Sequence, residues 1–216
     1  MAYYSSARDL LREVVSRYRA LDSYADTGYV QDLNSPKSSP ISFETALRRP
    51  SEFRFRFSSA HPFGPKRHLV SRSQVGLNAG KPYIWSQHYS AAPELEHAES
   101  LCMAIAGATG ISRGSAFTIW SLLFDDDDRN LFSNLTRPRF RKFASVDGVR
   151  CHRVTVTHIG FHRIDIYIGV ADLLLRGWVT RSMRYPHAEM RTDIKVGVEL
   201  DDSFFAIPDE VAHPTS

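Results

Sequence analysis

The sequence predicts a mainly β protein of the α+β class. Three observations carry that expectation: hydrophobic period two over most of the chain, one amphipathic helix at its start, and one nearly uncharged stretch of small and apolar residues in the middle. In Phe53-Arg54-Phe55-Arg56-Phe57 the aromatics alternate with arginines, as on a strand buried on one face.

From Ser5 to Leu21, apolar Leu10, Leu11, Val14, Val15, Tyr18 and Leu21 recur at three- and four-residue spacings between charged residues, which predicts a helix of about four turns. Ser5 or Ser6 supplies the N-cap. At Asp22-Ser23 the pattern becomes the extended Tyr24 to Val30. Strands are then expected at Ile41 to Leu47, through Phe53 to Phe57, at His68 to Leu77 and at Tyr83 to Tyr89. Turn residues separate them at Ser35-Pro36, Arg49-Pro50, Pro62-Phe63-Gly64-Pro65 and Ala79-Gly80, so residues 23–91 read as a meander of hairpins.

After Pro93, Arg113 is the one charge between Leu101 and Phe124. The run is long enough to cross a bilayer, but Gly107, Gly110, Gly114 and the polar residues around Arg113 divide it, so residues 94–124 are expected as two short buried helices. The chain is therefore not expected to span a membrane. Strands resume over 137–200: Arg139 to Val146, an Asp147-Gly148 hairpin turn, Cys151 to Thr157, Arg163 to Ile168, Leu173 to Met183 and Met190 to Leu200. Residues 201–216 form a tail whose Asp201 to Pro208 looks like a closing turn with an aromatic anchor. With no internal repeat or low-complexity linker, residues 1–216 read as a single domain.

At 216 residues, 43% of them hydrophobic, the chain is large enough to bury roughly 70% of its unfolded surface without staples. Its 27 Lys+Arg against 24 Asp+Glu leave +3, too little over the whole molecule to select nucleic acid or anionic lipid. Cys102 and Cys151 show no metal or redox spacing, and whether they pair is left open. Met1 to Arg12 has charges where the apolar core of a secretion leader would lie, so an exported protein would need a leader preceding this stretch.

Nine histidines invite a metal search, with His158 and His162 flanking an expected turn at Gly160, yet no HExxH or Cys/His cluster occurs. Asp125 to Asp128 lack the pattern of a calcium loop and read as a solvated loop. Neither GxSxG nor SxxK is present, and no Gly-rich phosphate loop, so neither a catalytic serine nor a nucleotide cofactor is expected. Phe53, Phe55 and Phe57 face away from Arg54 and Arg56, which argues for core aromatics over a solvated arginine face and against a nucleic-acid platform.

What stands out is apolar supply. A sheet face lined by Phe53, Phe55, Phe57, Tyr83, Trp85, Ile164, Ile166, Ile168 and Trp178, with helices carrying Trp120, Leu122 and Leu123, is expected either to enclose a hydrophobic hollow or to pack as a solid core.

The order of elements resembles the LolA/LolB-like lipoprotein-localisation factors and the wider lipoprotein-sorting-protein-like domains. The likeness covers most of the chain. It is carried by Leu21-Asp22-Ser23-Tyr24-Ala25-Asp26-Thr27-Gly28, Arg49-Pro50-Ser51-Glu52-Phe53-Arg54-Phe55 and Val146-Asp147-Gly148-Val149-Arg150-Cys151-His152-Arg153-Val154, with Ala104 to Gly110 and Ser115 to Leu123 similar to the helical insertion of one branch. The resemblance implies an incomplete antiparallel β-barrel of about nine to eleven strands whose concave face, closed by short helices, holds acyl chains. It further implies a carrier or sensor rather than an enzyme, outside the cytoplasm, with lipid, lipoprotein or another apolar ligand as cargo and envelope proteins as further partners. The ligand would lie against Phe53, Phe55, Phe57, Tyr83, Trp85, Trp120, Leu123, Ile164, Ile166 and Ile168. The alternatives are an envelope interaction module with a filled core and a hydrolase acting on an apolar substrate.

Overall fold

Ser6 opens the first helix as its N-cap, its hydroxyl accepting a hydrogen bond from the Asp9 amide at 3.2 Å. The computed structural model describes residues 4–60, 70–89, 91–124, 131–158, 161–181 and 185–208. Helix α1 (Ala7–Arg19) buries Leu10, Leu11, Val14 and Tyr18. Twelve strands follow: β1 (Ser23–Asp32), β2 (Ile41–Arg48), β3 (Glu52–Ala60), β4 (Val70–Asn78), β5 (Lys81–Gln87), β6 (Glu94–His97), β7 (Leu135–Phe140), β8 (Ala144–Val146), β9 (Val149–His158), β10 (Phe161–Gly169), β11 (Leu175–Thr180) and β12 (His187–Val196). Helices α2 (Leu101–Thr109) and α3 (Ser115–Leu123) interrupt them between β6 and β7, and a 3-10 turn (Asp202–Phe204) closes the described chain.

The strands form one antiparallel sheet that does not close, in the order β6-β5-β4-β3-β2-β1-β12-β11-β10-β9-β7, with β8 also paired to β9. The protein is thus mainly β with an incomplete barrel architecture. Twelve strands exceed the expected nine to eleven because two short ones were not foreseen. Glu94–His97 pairs with β5 as β6, so the helical stretch begins at Leu101 and not at residue 94. The expected strand Arg139 to Val146 is two strands, β7 and β8.

Two hairpins show why their turns were legible. Ala79 and Gly80 between β4 and β5, and Asp147 and Gly148 between β8 and β9, all have positive φ, the tight turn whose twist matches antiparallel strands. At the outer strand β7 the register to β9 slips between Thr136 and Arg139, and Pro138 sits in that slip. The expected turns at Pro62 to Pro65 and Gly160, the start of the His68 strand, Met183 and the Asp125 to Asp128 loop lie outside the described residues. Cys102 and Cys151 are not bridged.

The chain groups into two compact units: residues 1–21, 28–38 and 117–192 make the first, and 22–27, 39–116 and 193–216 the second. The second unit is built on β2 to β6 with α2 packed on β4 and β5. In the first, α1 packs on β7 and the Tyr18 hydroxyl accepts a hydrogen bond from the Leu175 amide at 3.0 Å. No described helix is long and apolar enough to cross a membrane; α2 and α3 have nine residues each.

Candidate functional site

In the second unit, cross-strand register assigns each aromatic to a face. Phe53, Phe55 and Phe57 stand opposite Leu47, Thr45 and Phe43 on β2 and Leu77, Val75 and Ser73 on β4, and Val75 stands opposite Ile84. Directly paired residues share a side, so this layer is Phe43, Phe53, Phe55, Phe57, Val75 and Ile84, with the Phe43 and Phe55 rings stacked at 5.4 Å. A Cβ added to Gly107 of α2 would sit 3.5 Å from Ile84 Cδ1, so α2 covers this side.

Tyr83 pairs with Gly76 and Trp85 with Gln74, while Gly76 and Gln74 pair with Arg54 and Arg56. Tyr83 and Trp85 therefore lie with the arginines, on the side away from Phe53, Phe55 and Phe57. The expected common face is corrected here: the count of residues across two turns decides parity, and alternation within single strands does not reveal it. The arginine side is not solvated either. Arg54 is 6% exposed and pairs with Glu44 at 3.1 Å; burial, foremost, pushes its pKa down. Gln74 donates to Tyr83 Oη at 2.6 Å and to the Ala206 carbonyl at 3.0 Å, and Arg48 stacks over Phe205 at 5.1 Å. The tail so anchored covers the side bearing Tyr83 and Trp85, as the aromatic anchor expected at Asp201 to Pro208.

In the first unit, Ile164 and Ile166 stand opposite Val156 and Val154 on β9, and opposite Thr180 and Trp178 on β11. They share their side with Ile168 and Trp178, and Phe132 meets Trp178 edge-on at 5.7 Å. Trp120 and Leu123 of α3 are also buried and belong to this unit. All ten residues named as the ligand surface are at most 3% exposed, distributed between the two units.

An open groove of about 710 Å³ lies elsewhere, beside α1 in the first unit. Leu11, Val15, Phe132, Leu135 and Pro138 supply its apolar lining, and Arg8, Arg12 and Arg19 its cations; none of the ten expected residues lines it. Its size falls in the range of about 300–1,000 Å³ typical of small-ligand sites. Sequence reasoning missed it because the arginines read as the solvated side of an amphipathic helix. The apolar Phe132 and Leu135, between the helical stretch and the resumed strands, were the available signal.

The opposite side of the isoleucine strands carries a second feature missed from sequence. Asp165 is fully buried, accepting hydrogen bonds from Thr155 at 2.7 Å, Arg153 at 2.8 Å and Arg181 at 3.1 Å, with Arg163 at 3.6 Å. Burial alone would raise its pKa; the hydroxyl and guanidinium hydrogen bonds prevail and hold it at about 2. The common parity of Arg163 and Asp165 on one strand was the overlooked clue. Near the sheet edge, His152 lies among Tyr4, Phe140 and Phe143, and burial first, then Arg150, lowers its pKa. Among the described residues no group of three metal-ligating side chains occurs.

No protein-family model matches the chain, and no curated protein matches it in sequence. Solved structures do share its fold. MucB is similar at a TM-score of 0.56 and 14% identity, over 94% of this chain and 63% of that one. The Pseudomonas aeruginosa MucA/MucB complex gives 0.55 and 14%, over 94% and 62%. LprF from Mycobacterium bovis gives 0.54 and 12%, over 94% and 96%. The chain thus spans somewhat less than two thirds of the MucB structures but nearly all of LprF. At these identities the likeness concerns fold alone: an open antiparallel sheet with an N-terminal helix, shared with MucB and LprF.

Proposed function

We propose that this chain is a non-catalytic binding protein of the cell envelope, acting outside the cytoplasm as a carrier or sensor that takes the acyl chains of a lipid or lipoprotein. The observation that carries the proposal is the groove beside α1, where an apolar lining of Leu11, Val15, Phe132 and Leu135 meets arginines that suit an anionic headgroup. The resemblance of the sequence to LolA/LolB-like domains and the fold shared with MucB and LprF support it. Native mass spectrometry with lipid extraction, followed by titration with a fluorescent fatty acid, tests it: copurifying lipid and saturable binding are expected, weakened by Val15→Trp, whose indole intrudes on the apolar lining. Absence of both lipid and binding overturns the proposal.

A second reading is favoured by one observation, the burial of all ten expected ligand residues to 3% or less. On it, the chain is an envelope protein-interaction module with a filled core, as MucB is found in complex with MucA. It predicts that Phe55→Ala and Ile166→Ala lower stability without altering any ligand binding. If a fatty-acid probe carrying a photoreactive group labels the Phe53 to Phe57 segment, this second reading fails.

A further inference from the structure

We propose that the Asp165 side of β7, β9, β10 and β11, all within the first unit, docks on the anionic phospholipid headgroups of a bilayer. Register and bonding gather five arginines on that side. Arg153 and Arg163 share the parity of Thr155 and Asp165 on β9 and β10; Arg139 pairs with Thr155; Arg141 donates to the Thr155 hydroxyl at 3.1 Å; Arg181 follows β11 and reaches Asp165. Five cations against one carboxylate, Asp165, which pairs with three of them, leave a surplus of four, more than the +3 of the entire chain. Five of the 27 Lys+Arg thus gather on one side of these strands.

Asp165 makes this a built surface. Fully buried and ionised, it ties Arg153, Arg163 and Arg181 at one end, while these side chains remain 31%, 47% and 52% exposed. Held guanidinia are well suited to phosphate, whose oxygens match their planar fork. A headgroup surface fits better than a protein partner because, among the described residues of these strands, this side carries no exposed apolar anchor of the kind protein interfaces centre on. Val179 is buried, Tyr167 is half-buried, and the exposed Phe140 belongs to the other side, opposite Val154. The inference stands on the charge pattern and does not depend on what the groove holds.

The test is cosedimentation of the whole protein with vesicles of pure phosphatidylglycerol or pure phosphatidylcholine. Binding to phosphatidylglycerol alone is expected, falling steeply as salt shortens the screening length. Each arginine removed should weaken it about fivefold, so R139Q/R141Q/R163Q/R181Q should lose at least a hundredfold. Should that variant fail to fold, R139E/R141E leaves every ion pair of Asp165 intact and should weaken binding at least tenfold. Equal binding to both vesicles, no binding to phosphatidylglycerol, undiminished binding by R139E/R141E, or release from vesicles by equimolar polyglutamate each overturns the proposal.

Discussion

Replacing Asp165 by Asn should destabilise the protein at neutral pH, and the loss should shrink as the solution is acidified. The carboxyl is held at about 2 instead of 3.8, so its ionised form favours the folded state. That displacement is worth about 2 kcal/mol at about 1.36 kcal/mol per pH unit. Because its partners Arg163 and Arg181 are about half exposed, solvent screening reduces the expected value to about 1–2 kcal/mol. The sign follows from a lowered folded-state value: the contribution is complete above about pH 5, about half remains near pH 3, and it vanishes as pH falls through 2. Urea unfolding of wild type and Asp165→Asn between pH 6 and pH 2.5 measures the gap. Other carboxylates titrate in both proteins and cancel in the difference. A gap that stays constant or widens on acidification would refute the assignment of Asp165 as an ionised, arginine-held carboxylate.

Three further outcomes follow from packing. Gly76→Ala places a Cβ 2.0 Å from the Phe53 carbonyl oxygen, inside contact distance of backbone that cannot move alone; a loss of about 1–3 kcal/mol or more is expected in thermal melts, and an unchanged melting temperature contradicts the register around Arg54 and Tyr83. Phe55→Ala should cost about 3–5 kcal/mol in chemical denaturation, since the ring is fully buried against Phe43; less than 1 kcal/mol would mean that this layer is not packed. Ser6→Ala should cost about 1 kcal/mol by removing the cap of α1, with Ser6→Asp restoring most of it; equal stability of all three proteins excludes the cap.

Much of the fold was legible because local chemistry decided it. The Leu10, Leu11, Val14 and Tyr18 spacing specified α1, and Asp147-Gly148 and Ala79-Gly80 specified their hairpins through the backbone conformation those pairs adopt. The division of the apolar run at Gly110 to Gly114 was readable for the same reason. The relation between strands was not. Placing Tyr83 with Phe55 required the register across two connections, one of them residues 61–69, outside the described residues, and the opposite result reverses which side each aromatic occupies. Arg54 lies over Phe204 and Arg48 over Phe205, some 150 positions away, and no local pattern announces such a cover. The groove depends likewise on the return of Phe132 to Pro138 beside a helix more than a hundred residues earlier. Net charge misled in a different way, because +3 is a sum that conceals where the arginines gather.

The slipped register at β7 bears on how readily an unclosed sheet is extended at its ends. A terminal strand exposes a row of backbone donors and acceptors that another chain can extend. Here Pro138 has no N–H to offer, Arg137 takes a left-handed conformation at φ 52°, and exposed Arg139 follows. At the opposite end of the strand order, β6 offers four residues, with Glu94, Glu96 and His97 exposed. Each end so interrupted is a poor template for fibre growth, and an open architecture can persist in a crowded compartment without a partner strand to seal it.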